Sequence, residues 1–367
     1  MLLEKQREKL INLMKENKTD VLVVGPSPDL EYLTGLHPLI DERFKALFIL
    51  SDGRYFYISP ELCYEESREV LGENTDIFTW SDSKGFLEAF EEMNKHYNLD
   101  GKTIGVNDGI RAVDLLAMGN VLNATFTNGC SIMEKMRIIK TKEEMEKLRK
   151  AAKIADEAAT QIIKFIKPGI TEREIKNRIE HILFENGGQE LAFKTIVASG
   201  PNSSKPHYTD DGRVIEKRDV IIMDFGCRYN GYCSDISRTV FVGEPTDEQK
   251  KIYSIVCEAN NRAESHVKQG VRAEEVDMVA RNVIREAGFG EYFFNRTGHG
   301  IGVGVHEAPY IMEGNKQVLE NGMAFSIEPG IYVPGRFGMR VEDIILMKDG
   351  KGEVLNKATK EMIIVYP

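Results

Sequence analysis

The sequence predicts an α+β protein of two domains, the second of them an internal duplication. A chain of 367 residues is long for one compact core, so two domains are the default expectation. About the first 130 residues alternate helical and extended patterns, whereas long helical patterns take over from Lys140. Segments 166–188 and 267–289 align at an offset of 101 residues: Gly169 falls on Gly270, Glu174 on Glu275, Glu185 on Glu286 and Gly187 on Gly288. The boundary is placed near 130–138, giving domains 1–132 and 133–367.

In the first domain the spacing of apolar residues predicts helices over 4–17 and 83–97. DVLVVG (20–25), ALFILSDG (46–53), RYFYIS (54–59) and KTIGVND (102–108) read as strands, an α/β layout with no reactive constellation of its own. The second domain opens on a helix from Lys140 that Pro168 and Gly169 stop. Thr171, with Glu174 three residues on, carries a capping-box signature for the next helix.

Composition excludes several classes. With 42% hydrophobic residues, 29% charged residues and 12 prolines, the chain is globular rather than disordered. A net charge of −10 argues against a nucleic-acid partner, which needs a basic face. The first eighteen residues form a charged helical pattern without the apolar core of a signal peptide, and no apolar run approaches the roughly 18–20 residues that span a membrane. A cytoplasmic location with no membrane partner is expected. Five cysteines, odd in number and without a CxxC pair, fit a reducing compartment.

Chemistry concentrates in DVIIMDFGCRYNGYCSDISRTVFV (219–242), where strand patterns flank Asn230-Gly231, a strong hairpin signal. A two-residue loop pairs Tyr229 with Tyr232, so Asp224 opposes Ser237 and Asp235 lies two residues back on the same face. Two carboxylates converging in an apolar hairpin repel, and cations between them relieve that. Two solvated aspartates are the bland alternative. Acidic residues recur in the second half, where GMAFSIEPGIYV (322–333) reads as a strand ending at Glu328. MRVEDIILM (339–347) reads as a strand with Arg340, Glu342 and Ile344 on one face. Position 325, reached from Asp224 by the same offset of 101, lies three residues from Glu328.

The glycine-rich TGHGIGVGVHE (297–307) adds His299, whose weight as a ligand comes from those carboxylates. His207 lies in a turn-rich stretch before the Asp224 strand, while His37, His96, His181 and His266 read as surface or helix residues. Four carboxylates and one imidazole form an oxygen-rich set suited to two divalent ions, Mn²⁺ above all, with Co²⁺, Zn²⁺ or Fe²⁺ also fitting. A water bridging ions roughly 3.5–4 Å apart becomes a nucleophile, which is hydrolytic chemistry.

These motifs resemble the "pita-bread" metallopeptidases, the group of methionine aminopeptidase, aminopeptidase P and prolidase, whose fold is itself a duplication. The family's ligands in the order Asp, Asp, His, Glu, Glu are matched by DFG (Asp224), SDISRT (Asp235), TGHGIG (His299), IEPG (Glu328) and RVED (Glu342). EYLTGL (31–36) and its surroundings resemble the creatinase-type N-terminal domain of the proline-specific members. The resemblance implies Glu328 as ligand and proton shuttle, His207 and His306 as stabilisers of the tetrahedral intermediate, and Arg340 as an orienting donor behind the carboxylates. It further implies a homodimer acting on small proline-containing peptides through a metal-bridging hydroxide.

The leading expectation is an Xaa-Pro dipeptidase; the alternative is an Xaa-Pro aminopeptidase acting on longer peptides. A non-catalytic binding protein of this fold is a third reading, weakened because all five ligands are present. A basic residue able to take a dipeptide's carboxylate favours the first; Arg336 and Arg340 are candidates, and position 310, after HEAP, is an uncharged Tyr.

Overall fold

In the computed structural model, residues 2–366 are described. The chain divides into two compact units, Met1–Arg137 and Ile138–Pro367. The division follows residue 137 rather than 132 because the helix Cys130–Arg137 belongs with the first unit, where Lys9 Nζ donates to the Met136 carbonyl.

The first unit runs α1 (Leu2–Glu16), β1 (Val21–Val24), α2 (Pro28–Thr34), β2 (Ala46–Leu50), β3 (Tyr55–Pro60), α3 (Tyr64–Leu71), β4 (Asp76–Trp80), α4 (Leu87–Tyr97), β5 (Thr103–Val106), α5 (Ala112–Val121), β6 (Thr125–Asn128) and α6 (Cys130–Arg137). Its strands form one mixed sheet in the order β4-β3-β2-β1-β5-β6. Every residue of β1 and β2 is buried, as expected of central strands covered on both faces. The apolar runs read from sequence thus become the middle of the sheet.

The second unit opens with α7 (Lys142–Ile162) and α8 (Glu172–Glu185), then β7 (Glu190–Leu191), β8 (Ile196–Ser199), β9 (Val220–Phe225), β10 (Cys227–Tyr229), β11 (Tyr232–Cys233) and β12 (Ile236–Val242). It repeats the plan with α9 (Asp247–His266), α10 (Ala273–Glu286), β13 (Gly298–Gly300), β14 (Glu307–Ile311) and β15 (Ala324–Ile327), and closes with β16 (Gly330–Val333), β17 (Phe337–Arg340), β18 (Asp343–Lys348), β19 (Lys351–Val354) and β20 (Ile363–Val365).

Helix pairs and sheets recur with the same local chemistry. Thr141 with Glu144, and Thr246 with Gln249, close capping boxes that start α7 and α9. Thr171 with Glu174 does so for α8, and Arg272 with Glu275 takes the matching place before α10. α8 and α10 are both 14 residues long, and both are flanked by left-handed glycines at matching places: Gly169 and Gly270 before, Gly187 and Gly288 after. One half packs its helices on the sheet β20-β12-β9-β8, the other on β14-β13-β15-β18-β19. The fold is therefore a duplicated α+β domain preceded by an α/β domain.

Candidate metal centre

Asp224 is next to last on β9 and pairs with Ser237 on β12, the register that a two-residue loop dictates. Asn230 and Gly231 both have positive φ (47° and 80°), as a tight primed turn requires. Asp235 precedes β12 at an irregularity where the chains crowd: a Cβ on Gly226 would lie 1.9 Å from the Ser234 carbonyl oxygen, so the third residue of the DFG motif must be glycine. The second half repeats the device, since a Cβ on Gly298 would lie 1.9 Å from the Ser326 carbonyl oxygen. Glu328 follows β15, its N–H donating to the Thr297 carbonyl at 2.7 Å.

The stretch 339–347 is not the single strand its alternation suggests. β17 ends at Arg340 and pairs with β16, whereas β18 begins at Asp343 and pairs with β15. Between them the Glu342 N–H donates to the Ser237 carbonyl at 3.1 Å, an isolated bridge that joins the sheets of the two halves. This break brings Glu342 against the first half's carboxylates.

His299 Nε2 lies 3.3 Å from Glu328 Oε1 and 3.6 Å from Asp235 Oδ2. Ligand atoms of Asp235, His299 and Glu342, all buried, fall within 4.8 Å of one another. The His299 Nδ1 lies 3.2 Å from the Gly300 carbonyl; protonated there, it donates that bond and presents the Nε2 lone pair to the carboxylates. Ser237 Oγ donates to Glu342 Oε2 at 2.7 Å and accepts from Arg340 Nε at 2.8 Å. Arg340 also reaches the Tyr332 hydroxyl at 2.7 Å and Asp224 Oδ2 at 2.5 Å.

Electrostatics tests whether this set suits cations. Burial, and then the charges of neighbouring carboxylates, push the Asp235 and Glu342 carboxyls well above the usual range. Burial also raises Glu328, against the lowering effect of Arg340. His299 is pushed well down by burial and by His306, which keeps its imidazole neutral. Asp224 Oδ1, Asp235 Oδ1 and Glu342 Oε1 are buried without a hydrogen-bond partner. Acceptor atoms left bare and crowded acids are what a bound divalent pair would satisfy, so the residues fit the group.

All eight residues singled out from sequence line one cavity of about 480 Å³: Asp224, Asp235, His299, Glu328, Glu342, His207, His306 and Arg340. The His306 ring stands edge-on to His299 with centroids 4.2 Å apart. Arg336 is elsewhere, exposed and paired with Glu248. Sequence reasoning missed Ser237, Tyr332 and Ser326, which tether Glu342, Arg340 and Glu328 respectively. The hairpin register already placed Ser237 opposite Asp224; nothing local marked the other two.

Residues 146–349 match the Metallopeptidase family M24, and residues 6–139 match the Creatinase/Prolidase N-terminal domain. The chain belongs to metallopeptidase family M24. An Xaa-Pro dipeptidase of Pyrococcus horikoshii is 36% identical over 361 residues, covering 97% of this chain and 98% of that protein. The crystal structure of a prolidase from Thermococcus sibiricus superposes with a TM-score of 0.95 at 38% identity, covering 100% of both chains. An X-Pro aminopeptidase from Thermotoga maritima gives 0.85 at 31% identity, with 98% and 99% covered. As an M24 metallopeptidase the chain is an enzyme that works with divalent ions, and the buried Asp235–His299–Glu342 cluster is a place of the right chemistry for them. Among the described residues no helix is long and apolar enough to cross a membrane.

Proposed function

We propose that the protein hydrolyses the Xaa-Pro peptide bond, in dipeptides above all, with two divalent ions held by Asp224, Asp235, His299, Glu328 and Glu342. The observation that carries this reading is the convergence of four carboxylates and a neutral imidazole in one cavity, with three carboxylate oxygens lacking partners. Manganese is the proposed metal because the donors are mostly hard oxygens. Such ions supply Lewis-acid activation of a water and of the scissile carbonyl.

The chain's own side chains do the rest. Glu328 takes a proton at its carboxylate and passes it to the leaving prolyl nitrogen. His207 and His306, both at the cavity wall, donate to the carbonyl oxygen as it gains negative charge. Arg340 holds Asp224 in place and is itself fixed by Ser237 and Tyr332. Proline lacks the amide N–H that many peptidases grip, and this machinery does not need it. A cytoplasmic homodimer completes the proposal, and light scattering of the purified protein tests the dimer.

The names of the Pyrococcus and Thermococcus relatives support dipeptides as substrates. The Thermotoga neighbour supports a second reading, removal of an N-terminal residue from longer Xaa-Pro peptides. Manganese-loaded protein is to be given Ala-Pro and Ala-Pro-Ala. Hydrolysis of the dipeptide alone is expected; equal turnover of the tripeptide replaces the first reading with the second. Glu328→Gln is expected to abolish turnover, and an active variant removes the proton-shuttle role.

A further inference from the structure

We propose that Arg296 is the specificity residue that takes the C-terminal carboxylate of the substrate; this rests on, and deepens, the Xaa-Pro dipeptidase reading above. Arg296 lines the metal cavity, is half-buried, and has no ion pair or side-chain hydrogen bond among the described residues. Its guanidinium lies over the Tyr310 ring, 4.8 Å from the centroid. A ring beneath the guanidinium face steadies it while leaving the N–H edges free to form a fork with a carboxylate.

The other cations at this cavity are already committed. Arg340 is spent on Asp224, Ser237 and Tyr332. Lys194 is exposed and donates to the Thr209 carbonyl at 3.1 Å. Arg296 therefore supplies the positive charge that Tyr310 cannot.

Its place suits the leaving group. Arg281 on α10 donates to the Asn295 carbonyl at 2.9 Å, and the Thr297 hydroxyl donates to Asp277 at 2.7 Å, so the backbone is pinned on both sides of Arg296. The Thr297 carbonyl in turn accepts from the Glu328 amide. In an Xaa-Pro dipeptide the carboxylate hangs one carbon from the nitrogen that leaves. A cation tied to the segment that holds Glu328, the residue facing that nitrogen, is in the right neighbourhood.

The test compares Ala-Pro with its C-terminal amide, Ala-Pro-NH2, on manganese-loaded wild type, Arg296→Met, Arg296→Lys and Lys194→Met. Wild type is expected to favour the acid by roughly 10–100-fold in kcat/KM, the range of one charge-assisted contact. Arg296→Met is expected to bring the ratio near one, chiefly by raising KM for the acid, with partial rescue by lysine. The Lys194→Met ratio should stay as in wild type. A wild type without acid preference, equal losses on acid and amide in Arg296→Met, or a ratio that collapses in Lys194→Met instead, each overturns the assignment. The wild-type acid–amide pair gives an answer even if a variant fails to fold. No turnover of either compound overturns the peptidase reading itself, whereas turnover without acid preference overturns Arg296 alone.

Discussion

Lys140 and Glu307 form a buried ion pair whose loss is expected to cost both stability and activity. Lys140 Nζ lies 2.7 Å from Glu307 Oε1, with the side chains 1% and 3% exposed. The Gly304 N–H donates to the other carboxylate oxygen at 3.3 Å, so this pair fastens the loop that ends in His306. Lys140→Met keeps the apolar stem but takes this cation away from the buried carboxylate. Breaking a pair of this kind typically costs about 3–5 kcal/mol. The second unit, residues 138–367, has 230 residues (367 − 137), and in that size range each kcal/mol moves Tm by roughly 2–4 °C. The melting of that unit, followed by calorimetry, is therefore expected roughly 6–20 °C lower. Glu307→Gln added to Lys140→Met removes the buried negative charge as well and should recover about half of the loss. A single variant that melts within a degree or two of wild type, or a double variant no better than the single, refutes the reasoning.

Other outcomes follow from the same contacts. Adding manganese at 100 times its dissociation constant should stabilise the protein by about 2.7 kcal/mol and chelation should reverse this; a Tm indifferent to both would falsify the metal centre. Ser237→Ala, which removes a donor to Glu342 and an acceptor from Arg340, should weaken metal affinity by about 10–100-fold in a calorimetric titration while circular dichroism stays unchanged. Burial pushes the Cys227 thiol up to about 11, and Cys233 is buried as well; native protein at pH 8 should expose to a thiol reagent only Cys63, Cys130 and Cys257, with all five reacting after denaturation.

What the sequence disclosed tracks how local its determinants are. The hairpin was readable to the residue because Asn230-Gly231 sets the loop and a period of two does the rest; Ser237 does face Asp224. The capping box at Thr171 was readable because its partners are three residues apart. The break between β17 and β18 was not, because the Glu342 amide finds its acceptor in Ser237, 105 residues away (342 − 237). Arg296 escaped notice for the same reason: a lone arginine reads as surface until Tyr310 and the cavity are in place.

The duplication explains the carboxylates and its drift explains why they were hard to align. The second helix of each half keeps the offset of 101, as Thr171 and Arg272 show, but the segments around it differ in length, so that Thr141 and Thr246 before the first helices lie 105 apart (246 − 141). In the strands Asp224 corresponds to Glu328 (328 − 224 = 104), the first next to last on its strand and the second just past the end of its own, and Asp235 to Glu342 (342 − 235 = 107), each just before the next strand. Each half thus supplies one acid at a strand's end and one before its neighbour, and the Ser237–Glu342 bridge draws the two pairs together. The imidazole breaks this symmetry. His299 sits on β13, whose counterpart β8 carries only Ile196, Val197, Ala198 and Ser199. In the proposed metal centre a nitrogen donor therefore enters from one half only, so that two cations held by this set would meet different surroundings.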